Sequence, residues 1–288
     1  MKFLKTGSMK YVGHLDTLRY FQKVFRRADL PIRLTEGFHP HQILSFALPL
    51  GIGMTSEGDY VDFELTDDSR LSCEEIQRRL NQSLGCSEFF VRSVCLLPED
   101  AKNAMSSVEA ASYLIFFKEQ IPSCMAGMTE EELSREAKAF ASQENIPVVK
   151  ETKKSVRIMD LASLIHRFEA GSFGETFDRK YPLFDREIDE FSLKNGDPYF
   201  YAMISAGSCD HLKPELLMQA FFSFLMKEQP KSGEEGPAPI QDPLTDSMDD
   251  SVKADQLFRI GVHRLDLFQL QGGQLVPLSF FKDKENED

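Results

Sequence analysis

The order in which the hydrophobic period changes along the first hundred residues restricts this fold most. Asp59-Tyr60-Val61-Asp62-Phe63-Glu64-Leu65 alternates polar and apolar positions, the pattern of a half-buried strand. Ahead of it, residues 2–12 read as an extended segment broken near Gly7. Leu15, Leu18, Phe21, Phe25 and Ala28 then recur at spacings of three and four, which predicts a helix over 15–29 that Pro31 ends. Apolar extended pieces at 32–36 and 43–49 flank a turn at Gly37–His41. Beyond the alternating strand, Ser72 with Glu75 three residues on predicts a capped helix start. That helix carries Ile76 and Leu80, stops at Gly85, and is followed by a strand at 88–96. The sum is β-α-β-β-α-β, the split βαβ, ferredoxin-like order.

A looser version follows. Strand patterns at 112–118, 146–151 and 155–160 surround a helix at 129–143, for which Thr129 and Glu132 form a capping box. Residues 161–186 show no clear period. Glu190–Leu193 and Tyr199–Ser205 flank Asn195-Gly196, a hairpin signal. Residues 214–226 read as helix and 257–268 as strand. The expected fold is therefore α+β, with two ferredoxin-like modules in tandem: 1–100, and 108–227 plus 256–281. Between them in the last module, residues 228–255 hold eight Asp/Glu against two Lys and predict a flexible acidic insertion. Residues 283–288 read as a frayed tail.

Charge is distributed unevenly. The net charge is −13, yet residues 1–50 hold eight Lys/Arg and three Asp/Glu, or +5. The rest carries −18. A basic module on an acidic body disfavours general nucleic-acid adhesion but allows local phosphate contact. Cys73, Cys86, Cys95, Cys124 and Cys209 form no C-x-x-C pair and match no zinc or iron–sulfur spacing. Five thiols in a chain of this length predict reduced cysteines. With no signal-peptide pattern at the N-terminus and no membrane-length apolar run, the expected location is the cytoplasm.

The candidate site residues crowd into 5–57. Asp16, Arg19, Lys23 and Arg26 are spaced three, four and three apart and share one helix face, a rail for successive phosphates. The plainer reading is a solvated face whose end charges suit the helix dipole. Gly13-His14-Leu15-Asp16 stands at a helix start, where free N–H groups attract anions and His14 can donate. His39-Pro40-His41 with Glu36 supplies two imidazoles, but no third metal ligand is fixed by spacing. Leu50–Gly58 is glycine-rich without a Gly-Lys-Ser/Thr, so it is no Walker loop, though Ser56 can touch phosphate. Lys150, Lys153, Lys154 and Arg157 form a basic ribbon, and Arg259, His263 and Arg264 lie on the last strand. The expected phosphate-binding set is Lys5, His14, Asp16, Arg19, Lys23, Arg26, Arg27, Thr35, Glu36, His39, His41 and Ser56, with no metal and no cofactor of the chain's own.

Lys5-x-Gly7, Gly13-His14-Leu15-Asp16, Arg26-Arg27-Ala28, Pro31, Thr35-Glu36-Gly37-Phe38-His39-Pro40-His41, Leu44-Ser45-Phe46-Ala47 and Leu50-x-x-Gly53 to Ser56-Glu57-Gly58 resemble the radical SAM-linked bacterial family, also called the DUF2344 domain. The resemblance is dense over residues 1–65 and looser downstream, at Val156–Leu161 and Lys213–Leu217. Gly13 stands where the family often has Ser, and Gln42-Ile43 where Pro and a basic residue are usual. The resemblance implies a partner enzyme carrying an iron–sulfur cluster and S-adenosylmethionine, with RNA as the implied target. It carries over no catalytic residues.

Three functions remain open on this reading. The first is a non-catalytic RNA-binding or substrate-presenting accessory of a radical SAM enzyme. The second is a metal-independent enzyme acting on RNA, with His14 or His39 as acid/base and Arg26 or Arg27 stabilising phosphate charge. The third is a protein-interaction module that docks a basic partner.

Overall fold

The structure is a computed structural model that describes residues 1–66, 69–98, 101–118, 120–152, 155–181, 193–207, 211–228 and 260–279. The acidic insertion from 229 on, residues 190–192 of the expected Glu190–Leu193 strand, Lys153, Lys154, Arg259, Cys209 and the 283–288 tail lie outside the described residues, as do the side chains of Lys150 and Arg157. The chain forms two compact units: Met1–Ala111 with His263–Asp288, and Ser112–Val262.

The first unit begins β1 (Lys2–Lys5), α1 (His14–Arg27), β2 (Leu44–Phe46), β3 (Thr55–Phe63), α2 (Cys73–Ser83), β4 (Phe89–Ser93) and a short α3 (Ala104–Ser107). The elements that follow are β5 (Ala110–Phe117), α4 (Glu130–Ala141), β6 (Pro147–Thr152), β7 (Ser155–Asp160), β8 (Ile165–Ser172), α5 (Glu175–Lys180), β9 (Pro198–Ser205) and α6 (Pro214–Glu228). The last strands are β10 (Ile260–Gln271) and β11 (Gln274–Pro277). The protein is a mixed α+β chain with mostly antiparallel strand pairing. Among the described residues no helix is long and apolar enough to cross a membrane.

In the first unit β1 pairs antiparallel with both β4 and β3. The far edge of β3 is divided. Its C-terminal half pairs with β2, Leu44 opposite Phe63, and its N-terminal half takes β10 in parallel, His263 opposite Thr55. The helices bury apolar stripes on this sheet. Phe3, Phe21, Phe25, Phe46, Val61, Leu80 and Phe89 form the core, with the Phe3 and Phe21 rings 4.8 Å apart, edge to face.

The inward face of α1 differs from the expected stripe. Thr17, Phe21, Val24 and Phe25 are buried, while Leu15 is 65 % exposed. Two steps of three from Phe21 carry the direction about 120° off the inward line at 100° per residue, so Leu15 faces out. Thr17 takes the inward place and its hydroxyl donates to the Gly13 carbonyl at 3.1 Å. At the other end Asp29 adopts φ +50°, and the Leu30 N–H reaches back to the Phe25 carbonyl at 3.2 Å, which closes the last turn before Pro31. The α2 start follows its pattern: Ser72 Oγ accepts from the Glu75 N–H at 3.2 Å. Arg78 and Arg79 in turn hold the Glu75 carboxyl down at about 2.

In the second unit β9 lies between β5 and β8. A separate hairpin, β6–β7, stands between α4 and β8 in chain order, and among the described residues the first unit has no counterpart to it. The α4 capping box of Thr129 and Glu132 is complete. Strand β8 forms inside the stretch that showed no period. Gly196 turns at φ +91°, but its N–H bonds the Phe173 carbonyl at 2.9 Å, so the turn leads β9 onto β8. Phe168 and Phe200 stack at 5.4 Å with planes 4° apart, and Phe140 and Phe221 close on them.

Candidate nucleic-acid interface

The outer face of α1 bears Asp16, Arg19, Lys23, Arg26 and Arg27, all exposed. They are not equally available. Arg19 pairs with Asp16 at 3.0 Å, an exposed i,i+3 contact worth a few tenths of a kcal/mol. Arg27 is committed to α2: its guanidinium donates to the Ser83 carbonyl at 2.7 and 3.0 Å and to Leu84 at 3.3 Å. It thereby satisfies carbonyls at the end of α2 and ties the two helices together. Lys23 and Arg26 are exposed and have no hydrogen bond or ion pair among the described residues.

His14, the first residue of α1, is half-buried and sets its ring edge-on to Phe46 at 5.2 Å. The second turn is a tight loop. Thr35 N–H donates to the His41 carbonyl at 2.8 Å, His41 N–H donates to Thr35 Oγ1 at 3.1 Å, and Thr35 Oγ1 meets His41 Nδ1 at 3.1 Å. Glu36, Phe38 and His39 stand exposed at its tip. Among the described residues His14 and His39 share no hydrogen bond or ring contact.

Two of the expected contact residues point inward. Lys5 is 2 % exposed and Ser56 0 %. Both belong to a buried polar cluster around a β-bulge. Phe3 faces Asp59 and Lys5 faces Ser56, so β3 spends three steps where β1 spends two. The extra residue turns Ser56 and Asp59 to one side, and Ser56 Oγ donates to Asp59 Oδ1 at 2.9 Å. Arg264 enters from β10 and donates to Asp59 at 2.8 Å, to the Leu48 carbonyl at 3.0 Å and to Pro49 at 3.2 Å. Lys5 Nζ donates to the Val12 carbonyl at 2.6 Å. The cluster thus pins the two loops that flank α1 and β3.

Beside it, Thr55 Oγ1 meets His263 Nδ1 at 2.8 Å, and His263 Nε2 lies 3.5 Å from Glu57, which faces Arg92 at 3.8 Å. Hydroxyl, imidazole and carboxylate stand in the order of a catalytic relay. Thr55 and His263 are each 1 % exposed, so a substrate has no route to the hydroxyl, and the trio serves as a cross-brace between β3 and β10. Sequence reasoning missed Asp59 as a buried acid. The signal was present, since Asp59 has the same parity as Val61 and Phe63 on the strand, and a carboxylate on a core face requires a buried cation. Among the described residues, no group of three or more His, Cys, Asp or Glu side chains could hold a metal ion.

Burial depresses the Lys5 ammonium below its ordinary 10.5; Asp59 opposes the shift and Arg264 adds to it. Between the depressed value and 10.5 the unfolded chain holds a proton that the folded chain has released, so this group makes stability rise with pH there. Urea unfolding of wild type and Lys5→Met from about pH 7.5 to about pH 9.5, below the ordinary tyrosine range, measures it. The wild type gains stability relative to the variant as pH rises; parallel curves would refute the assignment.

The family model described as "Uncharacterized protein conserved in bacteria (DUF2344)" matches residues 1–214. None of the curated proteins compared with the chain matches it.

Proposed function

The chain belongs to the bacterial DUF2344 family, and from that premise we propose that it is an RNA-binding, substrate-presenting accessory of a radical SAM enzyme, without catalysis of its own. The observation that carries the RNA reading is the pair Lys23 and Arg26. They lie on the outward face of α1, free of carboxylates among the described residues, within residues 1–50, whose net charge is +5. Cations one turn apart on a helix suit successive phosphates. The strand order β4-β1-β3-β2 of the first unit supports reading it as a ferredoxin-like module. The radical SAM partner rests on the resemblance of the N-terminal motifs, and a cytoplasmic location is part of the same proposal. An accessory role is favoured over catalysis because His14 is turned against Phe46 while His39 stands on a separate loop tip.

Fluorescence anisotropy with labelled single-stranded RNA across a salt series tests this. Wild type binds at low salt with affinity that falls steeply as salt rises. The Lys23→Ala/Arg26→Ala variant binds more weakly, and the slope of log K against log salt drops by roughly 1.4, about 0.7 per lost contact. Absence of binding at low salt, or a slope unchanged in the variant, would defeat the RNA reading. A complex with a radical SAM protein that persists after nuclease treatment is expected alongside; its absence would remove the partner.

A further inference from the structure

The geometry points to Phe38 as a platform on which an unpaired base of single-stranded RNA stacks, an inference that rests on the RNA reading above and narrows it to unpaired strands. Lone exposed apolar side chains are ordinary, so exposure alone decides nothing. Three further observations bear on Phe38. The first is its isolation: the side chain is 101 % exposed and meets no other ring or cation among the described residues. Both faces of the ring are open.

The second is the support. A mobile loop would have to be ordered on binding, and that cost would cancel the gain. Here the neck is closed by the Thr35–His41 bonds, by the Leu34–Gln42 bridge, and by the Ile43 N–H to Arg33 carbonyl bond at 3.0 Å. Gly37 turns at φ +111°, a conformation that suits glycine, and Pro40 stiffens the return. The ring is held out on a braced tip.

The third is the neighbourhood. His39 and His41 follow Phe38 along the chain, both exposed, and either imidazole can donate to a phosphate. Glu36, also exposed, is an acceptor for exocyclic amines of a base. An aromatic ring between phosphate donors and a base acceptor is the composition by which proteins hold unstacked bases. A paired base within a duplex has no free face to offer, which is why the ligand is single-stranded.

The chain has no tryptophan, so Phe38→Trp installs a sole reporter at the platform. Anisotropy with a single-stranded RNA 12-mer and its duplex, across a salt series that starts at low salt, is measured for wild type, Phe38→Ala and Phe38→Trp. Phe38→Ala loses roughly tenfold in affinity for the single strand, the size of one base–aromatic stack, with its salt slope unchanged. Phe38→Trp restores binding, and its emission is quenched by the single strand and not by the duplex. Full affinity in Phe38→Ala, or equal losses for strand and duplex, overturns the platform while the salt dependence through Lys23 and Arg26 stands. No binding by wild type to either RNA overturns the reading beneath it.

Discussion

Gly58→Ala lowers the unfolding free energy by about 3 kcal/mol, at the upper end of overpacking costs. The reason is room, not backbone conformation. A Cβ at residue 58 would lie 2.2 Å from the Leu265 carbonyl oxygen and 2.6 Å from Asp266 Cα. These are main-chain atoms of β10, which no rotamer change can move aside. Gly58 lies in the bulge of β3, where its own N–H donates to Ser56 Oγ at 3.1 Å. Relief therefore requires β10 to move away from β3 or the bulge to be rebuilt, and either course disturbs the Asp59–Arg264 contact. Urea unfolding gives the loss directly, and faster amide exchange in β3 and β10 locates it. A change within about 0.5 kcal/mol, the range of an ordinary surface substitution, would show that the two strands are not held this closely.

Asp59→Ala costs about 3–5 kcal/mol, the range for a buried ion pair broken on one side. Arg264 is 2 % exposed, and Asp59 is the carboxylate at 2.8 Å from it. Without that partner the guanidinium stays buried against the Leu48 and Pro49 carbonyls, which cannot neutralise it. The pair itself is worth far less than that loss, because both ions pay desolvation to enter the interior. The double variant Asp59→Ala/Arg264→Met consequently recovers much of the stability that the single variant loses. A double-mutant cycle measures the coupling. Additive losses would mean that the two charges do not depend on each other.

How much of this was legible depends on whether the cause is local. The α4 capping box and the Ser72 cap of α2 involve residues three apart, and the chain carries the whole signal in one window. The outward Arg19, Lys23 and Arg26 follow from helical period alone. Leu15 was misplaced because spacings of three drift round the helix, and only the sheet beneath decides where the inward line falls. The buried cluster was hidden for a different reason. Ser56 and Asp59 are three apart and so belong on opposite faces of a regular strand; the bulge that unites them arises from pairing with β1. Arg264 lies 205 residues from Asp59, and no local pattern reports such a partner. Phe38 was visible as a residue of a turn, but its complete exposure depends on how the neck of the loop is bonded.

The divided edge of β3 also sets a timetable. While a ribosome makes this chain, β1 through β4 are complete long before β10 exists, and the N-terminal half of β3 has an unpaired edge in the meantime. At 5–20 residues per second the 205-residue interval lasts roughly ten to forty seconds. Through that interval Asp59 has no Arg264 to meet, and a carboxylate at the bulge keeps the waiting edge hydrated, as inward-pointing charges do on edges that must not pair with strangers. The charge that costs the finished protein desolvation is thus of the kind that disfavours edge-to-edge pairing while β10 is still missing.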